Sequence, residues 1–134
     1  MNNEAVMRVA DALKARYADA LALQPYQVLV WAMPLPEKTA SGLVVFRQHK
    51  ELDEAHINVG VILRRHETCE KSPVWDKESA WVQFREHEGD RIYIQHDGKR
   101  PVTLRVMSDR AARPITPDMA AKLVDIDPNI EELA

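Results

Sequence analysis

The sequence predicts a mainly β domain, a small and partly closed barrel, with an amphipathic helix before it and one or two short helices after it. Three observations carry this prediction. The run Gln27 to Met33 is apolar on both strand faces, which suits a closed or doubly covered sheet better than an exposed edge. Arg91 to Gln95 and Val102 to Val106 alternate with the period of a strand on either side of His96-Asp97-Gly98-Lys99, an Asp-Gly hairpin signal. Before both, Val6, Val9, Ala10, Leu13, Tyr17, Ala20 and Leu21 recur at spacings of three and four.

The bulk numbers bound the rest. A chain of 134 residues is one domain that buries a core without staples. A net charge of −3 gives no pull toward nucleic acid or an anionic membrane, and the longest apolar run, Val28 to Met33, is too short to span a bilayer. Cys69 has no second cysteine to pair with, and no basic-then-apolar leader opens the chain, so the expected location is the cytosol.

In chain order, residues 1–24 hold the helix, read over Asn3 to Leu23 with Pro25 as its stop. Its apolar stripe packs on its own domain or on a neighbouring subunit. Residues 25–115 form the β domain. Within it, Gln27 to Met33 is a strand, and Pro34-Leu35-Pro36 then leaves the sheet. A small polar run follows, Glu37, Lys38, Thr39, Ala40, Ser41 and Gly42, and it ends in three aliphatics, Leu43, Val44 and Val45. The charged run Arg47 to His56 comes almost at once, so those aliphatics are either one short buried strand or bait for a partner. Asn58 to Leu63 is the next strand, and Arg64 to Lys77, with Pro73 and Trp75, an excursion. Ser79 to Phe84 is a strand with Val82 and Phe84 on one face and Trp81 on the other, and Gly89-Asp90 precedes the hairpin. In residues 116–134, Thr116-Pro117-Asp118 caps a short helix through Val124, and Asp127-Pro128 starts another.

The segment Glu37 to Val45, shortly after an apolar strand, resembles the mobile loop of the small co-chaperonins, the GroES family. Gly60-Val61-Ile62 resembles the strand after that loop, Gly89-Asp90 the family's Gly-Asp before a late strand, and Val106-Met107-Ser108-Asp109 its closing strand. The resemblance spans Tyr26 to Ile115. It implies a GroES-like β-barrel that associates into a ring, of seven copies, and caps a double-ring chaperonin to assist protein folding. It further implies a mobile loop at residues 34–46, with Leu43, Val44 and Val45 docking in a groove of the chaperonin. The chain departs from the pattern in its N-terminal helix, in its tail from Pro114, and in lacking a match to the family's roof hairpin between Arg64 and Ala80. A divergent member, of the kind that bacterial viruses carry, fits such additions.

No catalytic, metal or cofactor role is expected. The glycines Gly42, Gly60, Gly89 and Gly98 form no phosphate loop or dinucleotide fingerprint, and no serine sits in a nucleophile elbow. Three clusters carry residue types that could do chemistry: His49 to His56, His66 with Cys69, and His87, Glu88, Asp90, His96 and Asp97. Mixed polar runs between strands are ordinarily solvated loops. Trp31 and Trp81, inside apolar strands, are expected in the core, and Arg105, Arg110 and Arg113 form a modest basic cluster. The alternative to a chaperonin cap is a non-enzymatic structural or assembly protein, such as a virion component, built on a β-barrel.

Overall fold

The computed structural model describes residues 3–33, 57–69, 81–95, 98, 100–124, 126 and 128–134. Helix α1 (Asn3–Tyr17) is followed by strands β1 (Gln27–Ala32), β2 (Ile57–Arg65), β3 (Trp81–Arg85), β4 (Asp90–Ile94), β5 (Val102–Ser108) and β6 (Arg113–Pro114), then helix α2 (Pro117–Leu123). Short 3₁₀ turns lie at Glu67–Cys69 and Ile130–Leu133. The strands form one six-stranded antiparallel sheet in the order β4-β5-β1-β2-β3-β6.

The two-sided apolar pattern of β1 has its cause in this order. β1 lies inside the sheet, and both of its faces are covered. Leu29 and Trp31 join Val59, Val61, Leu63, Trp81, Val102 and Leu104 on one face, beneath Val6, Val9 and Leu13 of α1 and the C-terminal Ile130 and Leu133. Val28 and Val30 join Ile62, Val82, Phe84 and Met107 on the other. The helix stripe therefore packs on the chain's own sheet. Trp31 and Trp81 are core residues, and the Trp81 indole donates to Asn3 Oδ1 at 2.8 Å, which ties the start of α1 to β3.

α1 ends at Tyr17, well before Pro25. The period continues through Leu21 and Leu23, but these residues reach the core from turns and coil. The end is fixed from outside the helix. A register shift between Leu29 and Val30, which pair with Arg64 and Ile62, leaves Leu63 as the extra residue of a β-bulge. Arg64 is thereby turned toward the helix, and its Nη1 donates to Ala18 O and Leu21 O, both at 3.1 Å. A cation on carbonyls just past a helix C-terminus also complements the helix dipole.

The hairpin forms as the alternation predicts. β4 pairs with β5 from Asp90↔Val106 to Ile94↔Val102, and Gly98 has φ +74° between them. Thr116 caps α2 by accepting from Met119 N at 3.1 Å, with Pro117 at the first turn and Val124 at the C-cap. No helix among the described residues is long and apolar enough to cross a membrane.

Candidate functional site

The aliphatic segment Leu43-Val44-Val45, expected to dock on a partner, and its lead Glu37 to Gly42 lie outside the described residues. The strand residues on either side pair with each other. Met33 N donates to Val59 O at 2.9 Å, and Ala32 pairs with Gly60. The described residues that flank 34–56 in sequence thus lie at the same end of two neighbouring antiparallel strands. At that root Gly60 is tightly enclosed: a Cβ there would lie 2.5 Å from Val30 Cγ1, 2.7 Å from Trp31 O and 3.2 Å from Phe84 Cε1.

The other motifs of the resemblance come together on the opposite side of β1. Met107 pairs with Val28, Ser108 with Gln27, and Asp109 N donates to Tyr26 O at 2.7 Å. Gly89 has φ +75°, and a Cβ there would meet Val106 O at 2.5 Å, so the Gly-Asp step is a turn pressed against the closing strand. Tyr26 is the one non-glycine with positive φ among the described residues, +65°, in the left-handed region that a bulky residue rarely enters. Its N–H donates to Thr68 Oγ1 at 2.8 Å, and the residue is 59% exposed.

Periodicity alone gave no warning of the polar node on the sheet face opposite α1. Arg105 is only 4% exposed. Its Nη1 donates to Glu86 O at 2.6 Å and Glu88 O at 2.8 Å, its Nη2 approaches Glu86 Oε1 at 3.4 Å, and its guanidinium lies 5.1 Å from the centre of the Phe84 ring. Its Nε finds no acceptor among the described residues. Asn58 and Arg91 also donate to the Glu86 carboxylate. Burial, and then the neighbouring Arg91, push the Arg105 pKa down, while Glu86 and Tyr93 hold it up. The node fastens the β3–β4 turn onto β5.

The clusters weighed for chemistry are placed as follows. His87 is exposed and 3.8 Å from Glu88 Oε1, while His96 and Asp97 lie outside the described residues, as do residues 47–56. No group of three or more His, Cys, Asp or Glu positioned to hold a metal occurs among the described residues. Cys69, expected in a polar excursion, is instead buried to 2% exposure against the second core cluster, with Sγ donating to Gln27 O at 3.8 Å. His66 Nδ1 accepts from Thr68 N at 3.1 Å and lies 2.9 Å from Thr68 Oγ1, so that nitrogen is committed to Thr68.

Comparison with protein-family models, with curated proteins and with solved structures finds no match. The chemistry of the chain rests on its own residues.

Burial, then Asp109, push the Cys69 thiol above its ordinary value of 9.0. A raised folded-state value means that the folded chain holds this proton more tightly than the unfolded one. The stability so gained is complete below the unfolded value and is lost as pH rises through the folded one. Cys69 is expected to resist alkylation by iodoacetamide at neutral pH in the native protein and to react fully in denaturant, as mass spectrometry will read. Rapid native-state labelling would show that the thiol is open to solvent.

Proposed function

We propose that this chain is a GroES-like, partly closed barrel subunit that acts as a co-chaperonin. It caps a double-ring chaperonin as a ring of like copies, seven in number by the resemblance, and docks through Leu43, Val44 and Val45. The reading is supported by one observation above all. Two of the segments that resemble the family, Gly60-Val61-Ile62 on β2 and Val106-Met107-Ser108 on β5, flank β1, the strand that precedes the Glu37 to Val45 segment in sequence. Burying three aliphatics contributes about 1.5–3 kcal/mol each before ordering costs, which makes a single loop a weak ligand. Several loops acting together gain affinity through effective concentration, a physical reason for a ring.

The test is size-exclusion chromatography with a bacterial double-ring chaperonin, with and without ATP. The parent is expected to co-elute in a nucleotide-dependent way, and Val44→Asp to lose co-elution while keeping its thermal midpoint. Equal binding by Val44→Asp would remove the role assigned to the tripeptide. A self-assembling structural protein is the second reading, favoured by the outer edge of β4, which pairs with no strand among the described residues. In the same experiment it gives a large species that ignores the chaperonin.

A further inference from the structure

The two edges of the sheet are unlike. One ends in β6, two residues long and containing Pro114, which has no N–H to donate. The other is β4, five residues whose outer edge pairs with no strand among the described residues. Such an edge presents a row of unpaired backbone donors and acceptors, and its natural complement is another extended strand. Its first two residues, Asp90 and Arg91, are charged and exposed, whereas the remaining three carry no charge. Tyr93 is 68% exposed, and Ile92 and Ile94 are only partly buried at the rim of the core beneath α1.

We propose that β4 pairs antiparallel with β4 of a second copy of this chain, about a two-fold axis through Tyr93. This inference stands independently of the chaperonin reading. The sequence itself selects the occupant, because Ile92-Tyr93-Ile94 reads the same in both directions. Centred on Tyr93, the pairing sets Ile92 of each copy opposite Ile94 of the other, Tyr93 opposite itself, and Arg91 opposite Gln95. No like charges face each other. Ile92 already pairs with Leu104 and Ile94 with Val102 within the chain. The two-fold therefore continues an aliphatic row across both sheets on the face that carries the core, and aromatic rings meet on the other face. An isologous contact of this kind is self-limiting. The heterologous alternative, β4 on a neighbour's β6, is confined to a two-residue strand with a proline, so it cannot extend the sheet. A ring built through other surfaces would be doubled by this contact.

Directly opposed residues in an antiparallel pair have Cα atoms about 4.5–5.5 Å apart, inside the range that a disulfide spans. Tyr93→Cys is therefore expected to cross-link to itself under mild oxidation. Gln95→Cys, whose two copies would lie roughly 13–14 Å apart along the strands, is not. Sedimentation of the parent should show concentration-dependent pairing that Tyr93→Lys weakens at least tenfold with no change in thermal midpoint. Cross-linking at residue 93 and not at 95, together with this loss, establishes the axis. The proposal is overturned by a parent that stays monomeric up to about 1 mM. A self-assembly indifferent to Tyr93→Lys overturns it too, as does one that cross-links equally at both positions. Monomeric protein that binds an added extended peptide at β4 would assign the edge to a different occupant and reject the two-fold.

Discussion

Gly60→Ala is expected to cost about 3 kcal/mol of folding stability, at the upper end of what overpacking a core position does. The added methyl would sit 2.5 Å from Val30 Cγ1 and 2.7 Å from Trp31 O. The side chain could rotate away, but the carbonyl oxygen could not. It belongs to β1, which is held between β2 and β5, and Val30 and Trp31 are themselves fully enclosed. Relief therefore requires β1 and β2 to separate, which strains the ladder on both sides. Urea denaturation reads the effect as a lower midpoint at unchanged slope. A loss under about 1 kcal/mol would mean that the two strands are less closely apposed than these distances say. Gly60 also pairs with Ala32 at the root of residues 34–56. This glycine has a local physical reason: β1 and β2 approach too closely there for a side chain.

How much of this was legible in the sequence depends on which partner decides each feature. The β4–β5 hairpin was legible because alternation and the Asp-Gly turn are local, and the register from Asp90↔Val106 to Ile94↔Val102 follows from them. The cap at Thr116 and the opposite facing of Trp81 and Val82 are local in the same sense. The end of α1 was not, because the residue that terminates it, Arg64, comes from a strand more than forty positions away. Tyr26 gives no sign of its positive φ, a conformation normally announced by Gly or Asn. β6 is two residues held by a pairing with β3, too short to show a period. Cys69 lies inside a polar run, and what buries it is equally remote: the second core cluster, assembled from β1, β2, β3 and β5. Leu43-Val44-Val45, the segment on which the resemblance chiefly rests, lies outside the described residues.

Arg105 is the sharpest instance of burial that no local pattern reveals, and its removal is the second large effect. In sequence it sits with Arg110 and Arg113 as a modest basic cluster, on the strand face that alternates against Val102, Leu104 and Val106. In the fold Arg110 and Arg113 are exposed and Arg105 is not. Its guanidinium supplies the donors for the carbonyls of Glu86 and Glu88 and part of the charge that faces the Glu86 carboxylate. Arg105→Ala withdraws all of these and leaves a void over Phe84, at a cost of about 3 kcal/mol. The Glu86 carboxylate is partly exposed, so water recovers some of the ionic loss. Arg105→Met keeps the packing over Phe84 and forgoes only the hydrogen bonds, so it should lose about 1–2 kcal/mol. The difference between the two variants in denaturant midpoint separates packing from polar satisfaction. Equal losses would assign the whole role to the donors. Because Arg105 holds the turn that leads into β4, Arg105→Ala should also raise proteolysis and amide exchange in Glu86 to Ile94 before the rest of the sheet responds. If β1 and β2 open at the same rate as β4, the edge strand has no separate anchor. The polar node would then be one more element of a single cooperative core.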